Sequence, residues 1–409
     1  MQTPKSERIH IGIFGRTNVG KSSLINLITG QNVSIISEIA GTTTDLVEKT
    51  MELAPIGPIV LLDTAGIDDI TELGKKRQNV TAKSFNRCDF GCLIIEANTW
   101  TEFENTVIEN FKKYQIPFTI IVNKIDLNFP SNVYLEQISK FSDTYILVTA
   151  SQIEQREKFL ENFKTIISEK IPKFLFENEQ LTKLLNNLVN TKEVCIFVTP
   201  IDSGTPKGRL IMPQVQSLRA ALDKNIISIV VQLDEYLDAI NCLKSPPKLV
   251  ICDSQVVKEV IELSNETQSI TTFSIIFAKM KGDFEIEAKA AYELSKIKVN
   301  DKILIAEACS HHSQKDDIAK VKLPKLLEKF CGFSPKIEFS NGRDYPENIS
   351  EYKLIIHCGA CMLTRKEKLN RIAEALNANV AITNFGMAIS FLNGYLERVL
   401  LPFGLELKL

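Results

Sequence analysis

The stretch IHIGIFGRTNVGKS, residues 9–22, leaves a chain few ways to fold. An apolar, β-branched run ends in a loop with glycine at 15 and 20, and Lys21 and Ser22 then open a helical pattern. G-x-x-x-x-G-K-[ST] in that position reads as a phosphate-binding loop between a buried strand and a helix. Gly15 and Gly20 let the backbone turn so that its N–H groups point at phosphate oxygens. The positive end of the following helix adds to that attraction. Lys21 can reach the β- and γ-phosphates and the Ser22 hydroxyl can reach Mg²⁺, with Ser23 beside it as a further nucleotide contact.

Such a loop could arise by chance, but three more elements follow it in order. DTAG (63–66) ends an apolar strand, which puts Asp63 near the metal and the Gly66 N–H near the γ-phosphate. NKID (123–126) ends another, and supplies Asn123, Lys124 and Asp126. The Asp126 carboxylate can accept hydrogen bonds from N1 and N2 of guanine, a donor pair that adenine does not present. VTAS (148–151) then offers the Ala150 N–H to guanine O6. The ligand expected of this block is GTP with Mg²⁺.

Apolar runs alternate with helical patterns along most of the remaining chain, the pattern of parallel α/β architecture. The expected fold is three α/β domains, the first a P-loop GTPase fold with a mostly parallel sheet. Soft boundaries divide the chain into 1–173, 174–266 and 267–409. Strands are expected at EVCIFVTP, IISIVVQ and KLVICD, and helices at about 178–190, 213–224 and 234–243. The third block carries the apolar runs FSIIFAK, DKILIAEAC, PKIEFS, YKLIIHC and VAITNFG. A formal net charge of −2 gives no pull toward nucleic acid or anionic lipid. No apolar run reaches the roughly 18 residues of a membrane span. The reading is cytoplasmic, and in a reducing compartment the nine cysteines are thiols, packing residues or metal ligands.

Scarce histidine and cysteine gather at two strand ends of the third block. Cys309 and His311 close ILIAEACSH, and His357, Cys358 and Cys361 close YKLIIHCGAC. Strand C-termini of a parallel sheet meet at one rim, so these stretches can converge there. Three thiolates and two imidazoles on short turns suit tetrahedral Zn²⁺ or an iron–sulfur cluster, and the donor set leaves both open. Cys88, Cys92, Cys195, Cys242, Cys252 and Cys331 read as packing residues, His312 as solvated, and Arg209 as a surface or interface residue.

GTTTD (41–45), Asn18 and an apolar Ile67 after DTAG resemble the tRNA-modification and ribosome-assembly group of bacterial GTPases. The resemblance implies Thr43 as the switch threonine on Mg²⁺ and Asn18 as a holder of an activating K⁺. Lys21, Thr43 and Gly66 would carry catalysis. Ile67 stands where Ras-like enzymes place a water-orienting glutamine, Lys75 where the tRNA-modification members place a glutamate, and Glu72 lies three residues off. Hydrolysis is therefore expected to be slow, the behaviour of a switch. Joined to CSH…HCGAC, and to VTPIDSGTPKGRLIMPQVQSLRAALD (198–223), this block resembles the [FeFe]-hydrogenase maturation GTPases, the HydF family.

That resemblance implies a [4Fe–4S] cluster on Cys309, Cys358 and Cys361, with His311 and His357 in or beside its ligand set. It implies a dimerisation domain in the middle block and a homodimer or tetramer. It implies a carrier that takes a diiron precursor from radical-SAM maturases to apo-[FeFe]-hydrogenase, with no nucleic-acid or membrane partner. The alternative is an RNA-linked or ribosome-associated GTPase with a structural zinc site, which the lack of a Lys/Arg tract interleaved with aromatics weakens.

Overall fold

The computed structural model describes residues 4–30, 47–64, 84–171, 184–201, 210–308, 318–342, 345–346, 348–360 and 362–405. The chain forms two compact units, Met1–Glu177 and Asn178–Leu409. In the first unit the order is β1 (Ile9–Phe14), α1 (Lys21–Thr29), β2 (Val47–Leu53), β3 (Gly57–Asp63) and β4 (Phe90–Glu96). There follow α2 (Glu102–Lys113), β5 (Phe118–Asn123), α3 (Asn132–Ser139), β6 (Tyr145–Leu147) and α4 (Arg156–Lys170). The sheet runs β2-β3-β1-β4-β5-β6, parallel except for the antiparallel pair β2–β3.

Alternate residues of the central strands feed separate cores on the two faces. Ile9, Ile11 and Ile13 pack with residues of α1 and α4, whereas Val60, Leu62, Leu93 and Ile95 pack with residues of α2 and α3. Helix α2 shows why such elements form where they do. The Thr101 hydroxyl caps its start in a capping box with Glu104. Glu104, Val107, Ile108 and Phe111 then fall at i, i+3, i+4 and i+7 and are buried.

The antiparallel edge strand is pinned electrostatically. Glu48 on β2 accepts from Arg87 Nη2 and, at 3.0 Å, from Lys5 Nζ. Burial alone would raise its pKa, but Arg87 and then Lys5 overcome that and hold it at about 2, from 4.5. A depressed carboxylate contributes stability above its unfolded pKa and loses it as pH falls through the folded one. Glu48→Gln is therefore expected to destabilise the first unit by about 2 to 3 kcal/mol at neutral pH, allowing for partial solvent screening. The deficit should shrink as pH falls from 4.5 toward 2. Urea melts of both proteins at pH 7 and pH 3 check this, and an equal deficit at both would contradict it.

The second unit holds two parallel four-stranded sheets. The first, in order β10-β9-β7-β8, uses β7 (Val194–Val198), β8 (Ile227–Val231), β9 (Leu249–Cys252) and β10 (Ile270–Thr272). The second, in order β12-β11-β13-β14, uses β11 (Lys302–Glu307), β12 (Lys336–Asn341), β13 (Leu354–His357) and β14 (Ala381–Asn384). Helices α5 (Met212–Asp223), α6 (Tyr236–Asn241), α7 (Val257–Leu263), α8 (Phe273–Lys281) and α9 (Phe284–Ala291) precede β11. Helices α10 (Leu323–Cys331), α11 (Arg365–Asn377), α12 (Phe385–Leu392) and α13 (Leu396–Leu400) accompany or follow the last strands.

Three features depart from the sequence reading. The middle sheet does not end at 266, since β10 pairs with β9 beyond that residue. FSIIFAK is helix α8: the Thr272 hydroxyl accepts from Ile275 N at 3.3 Å, ending β10 and starting the helix at once. Its apolar run is unbroken because α8 is buried around most of its surface, so no helical period shows. The expected helix at 178–190 is turn at 184–188, and 172–183 lie outside the described residues. The two sheets share helical cover, which is why this unit does not divide further. Met387 of α12 joins the core of the first, while Phe385, Ala388 and Ile389 join that of the second.

Candidate functional site

In the first unit the strand C-termini bring the predicted nucleotide residues to one rim. The loop from Gly15 to Gly20 links β1 to α1, with Asn18 at φ 64° and Gly20 at φ 99°. Gly20 sits in the left-handed region open to glycine, and a Cβ there would lie 2.2 Å from Asn123 Nδ2. At Gly15 a Cβ would lie 2.6 Å from the Ile94 carbonyl oxygen, so the loop can pass over β4 only with glycine at this point. Lys21 Nζ donates back to the Gly15 and Arg16 carbonyls, both at 2.8 Å, and so spans the loop. Ser22 and Ser23 lie in the first turn of α1. Asp63 ends β3, where burial pushes its carboxyl up against the opposing pull of Lys21 and Lys49. Next to it, Thr64 Oγ1 donates to the Ile13 carbonyl at 2.6 Å and ties the β3 end to β1.

The base-binding elements are joined to the phosphate loop through Asn123. Its Nδ2 donates to the Val19 carbonyl at 2.8 Å, and its Oδ1 accepts from Ala150 N at 2.9 Å. One buried side chain therefore holds NKID, the loop and VTAS in fixed relation. Lys124 Nζ donates to the Asn18 carbonyl at 2.7 Å and pairs with Glu96 at the end of β4. Thr149 Oγ1 donates to Asp126 Oδ1 at 3.2 Å, which orients the carboxylate. Thr43, Gly66, Ile67, Glu72 and Lys75 lie outside the described residues.

Sequence reasoning missed one support. Arg16 Nε donates at 2.8 Å to Oε1 of fully buried Glu104, whose Oε2 accepts from Thr101 N and Oγ1. The capping box of α2 thus anchors the phosphate loop. Only the capping spacing TEFE hinted at this, since Arg16 and Glu104 are far apart in sequence.

The second candidate site lies at the rim of the last sheet. Ala306 of β11 is in register with His357 of β13, and Cys358 N donates to the Ala306 carbonyl at 2.9 Å. Ala308 N donates to Cys358 Sγ at 3.0 Å. Ala308, Ala360 and Leu363 form a small buried cluster with Cys358 packed against it. Ala360, at φ 54°, turns the chain sharply there. Burial raises the Cys358 thiol pKa, opposed by the N–H groups of Ala360 and Ala308 and by Lys368 and Arg371. Those same donors stabilise a thiolate once it is formed.

His357 was expected in or beside a ligand set, and its geometry opposes the first of these. Nδ1 lies 2.8 Å from the Cys358 carbonyl oxygen and Nε2 lies 2.8 Å from Arg371 Nη1. The guanidinium can only donate, so Nε2 accepts and Nδ1 carries the proton. Burial, then Lys368 and Arg371, push its pKa well below the ordinary histidine value and keep the ring neutral. Neither ring nitrogen has a lone pair left for a metal. His357 instead braces the turn, through an Arg371 that also donates to the Gly342 carbonyl at 3.1 Å and stacks on Tyr345. Among the described residues no three His, Cys, Asp or Glu side chains form a metal-binding group; Cys309, His311 and Cys361 lie outside them.

Comparison with known families covers most of the chain. A model described as "50S ribosome-binding GTPase" matches residues 10–124. The hydrogen maturase F dimerization domain matches 184–282 and the hydrogen maturase F tetramerization domain matches 285–402. The chain belongs to the hydrogen maturase F family.

Its first unit is a GTPase domain. The two hydrogen maturase F domains meet after α8, so β10 and α8 go with the middle block, as the sheet pairing also places them. Among curated relatives, the tRNA modification GTPase MnmE of Coxiella burnetii is 39% identical over 127 residues, 30% of this chain and 27% of that protein. The MnmE of Caldicellulosiruptor saccharolyticus is 34% identical over 166 residues, 39% of this chain and 35% of that protein. GTPase Der of Nitratiruptor is 25% identical over 245 residues, 55% of this chain and 52% of that protein. The chain thus spans between about a quarter and a half of the length of these relatives. A solved structure of an Aquifex aeolicus Era variant bound to GDP.AlF4- aligns with a TM-score of 0.34 at 20% identity, covering 62% of this chain and 97% of that one. No helix among the described residues is long and apolar enough to cross a membrane.

Proposed function

We propose that the chain is a GTP-switched scaffold in hydrogenase maturation that holds a [4Fe–4S] cluster on Cys309, Cys358 and Cys361. The observation carrying this is the 3.0 Å hydrogen bond from Ala308 N to Cys358 Sγ, with Ala308 and Ala360 packed beside that sulfur. Residues 309 and 361 each directly follow one of those alanines in the sequence. Backbone N–H groups turned toward a sulfur suit a metal-bound thiolate, whose negative charge they offset. The cluster would supply a one-electron centre and an iron with an exchangeable fourth position. Diiron precursor is the cargo, received from radical-SAM maturases and passed to apo-[FeFe]-hydrogenase, a step that rests on family likeness. His311 stays a candidate for the fourth position.

In the GTPase domain, Lys21, Thr43 and the Gly66 N–H would act on the γ-phosphate, with Mg²⁺ on Ser22 and Thr43. Asn18, exposed at the crest of the loop, would hold K⁺. With Ile67 in place of a polar water-orienting residue, turnover would be slow and K⁺-dependent. Anaerobically purified protein should be brown, carry about four iron and four sulfide per chain, and hydrolyse GTP several-fold faster in K⁺ than in Na⁺. Colourless protein holding one zinc would overturn the cluster assignment, and equal rates in the two salts would overturn the K⁺ assignment.

A further inference from the structure

The end of one helix grips the turn that follows Cys358, at Ala360 and Leu363. Lys281, the last residue of α8, is 3% exposed. Its Nζ donates to the Leu363 carbonyl at 3.1 Å and to the Ala360 carbonyl at 3.5 Å. In the other direction, Arg365 Nε donates to the Met280 carbonyl at 3.3 Å. Two reciprocal side-chain contacts therefore clamp Ala360, Leu363 and Arg365 to the C-terminus of α8. Helix α8 begins at Phe273, directly after Thr272, the last residue of β10, with no intervening loop. Its residues Phe273, Ile276 and Phe277 lie in the core beneath the sheet of the dimerization domain. A continuous helix thus runs from that sheet to the turn after Cys358.

We propose that Lys281 is a positioning residue for the metal site: it fixes the Ala360 and Leu363 carbonyls of the turn that follows Cys358, and brings a buried ammonium to that turn. The proposal rests on the cluster reading above. The turn could not hold itself as firmly. Its internal bond, Leu363 N to the Ala360 carbonyl at 3.1 Å, spans three residues, and Ala360 adopts a left-handed conformation that a non-glycine residue visits at some cost. Burying an ammonium is costly unless it is hydrogen-bonded, and the Leu363 and Ala360 carbonyls are among the partners that Lys281 meets here. A fixed cation near a thiolate-ligated cluster also favours the reduced state, because net charge and burial set the potential of such clusters.

The test uses the full chain reconstituted anaerobically with iron and sulfide. Lys281→Met is expected to lose iron several-fold faster than wild type to a chelator, and to show a more negative midpoint potential for the iron it keeps. Lys281→Arg should restore both, since it keeps the charge and the donors. Nucleotide affinity should be unchanged in all three. Lys281→Met with wild-type iron retention and potential would overturn the proposal. If that variant does not fold, Arg365→Met, which removes the other half of the clamp from a half-buried position, decides in its place: faster iron loss supports the clamp and unchanged retention overturns it. A wild-type chain that takes up no iron overturns both this proposal and the reading beneath it, whereas an iron-loaded wild type indistinguishable from Lys281→Met overturns this one alone.

Discussion

Asp126→Asn is expected to move the base preference of the GTPase domain from guanine to xanthine. The carboxylate of Asp126, oriented by Thr149 Oγ1 at 3.2 Å, can accept from both N1 and N2 of guanine. An asparagine in the same place keeps one acceptor and turns its amide donors toward the guanine amino group, which also donates. Two charge-assisted bonds are lost or inverted, at about 1.5–3 kcal/mol each. GTP affinity should therefore fall by roughly 100-fold to 10,000-fold. Xanthine has a carbonyl oxygen where guanine has its amino group, so the same amide can donate to it, and XTP should bind the variant better than GTP does. Competition of GDP and XDP against a fluorescent nucleotide measures both changes. Undiminished GDP binding would mean that Asp126 does not read the base. The variant should keep the fold, because Asn123 and not Asp126 joins the base-binding strand to the phosphate loop and to Ala150.

That these candidate residues would share one sheet rim was legible in the sequence for a physical reason. A nucleotide has fixed dimensions, so the groups meeting its phosphates and base must recur on successive strand ends with particular side chains. Gly15, Gly20, Lys21, Asp63, Asn123 and Asp126 are read from that requirement alone, and the structure brings them to one rim of one sheet. The parallel architecture was legible too, since strands buried on both faces leave unbroken apolar runs. The same rule misleads at α8, whose run FSIIFAK is unbroken because a helix is enclosed. Long-range supports left almost no trace. Arg16 and Glu104 meet only because β1 and α2 lie at the same sheet rim. Lys368 and Arg371 lie in the charged helix RKEKLNRIAEALN, yet both are buried, one paired with buried Glu287 and the other against His357. Periodicity marks which face of a helix is apolar; it does not show that a cation on the inner face has found a partner. His357 illustrates the same limit, because residue type gave it a ligand's chemistry while its neighbours use both nitrogens.

Cys358→Ser is expected to strip iron from the chain and leave nucleotide binding within about twofold of wild type. Oxygen for sulfur is a small steric change at a half-buried position, and the cost in stability should be no more than about 1 kcal/mol. The chemical change is large. A serine hydroxyl is not deprotonated near neutral pH and is a poor donor to iron in a sulfide-bridged cluster, whereas a thiolate is the usual one. With Cys358 gone, two of the three proposed thiolates remain, and iron content should drop at least three-fold after chelator challenge. Nucleotide affinity should hold because every described residue of the candidate nucleotide site belongs to the Met1–Glu177 unit, and the described residues of its two cores all belong to it as well. The reciprocal variant completes the argument: Lys21→Ala removes the ammonium that spans the phosphate loop and should abolish tight nucleotide binding while iron content stays at the wild-type level. Iron analysis and nucleotide titration on the same preparations read both outcomes. If Cys358→Ser kept its iron, the rim of the last sheet would not be the metal site. If either variant lost both ligands together, the two sites could not be separate in folding, and the scaffold would have to be understood as one cooperative unit instead of a switch joined to a carrier.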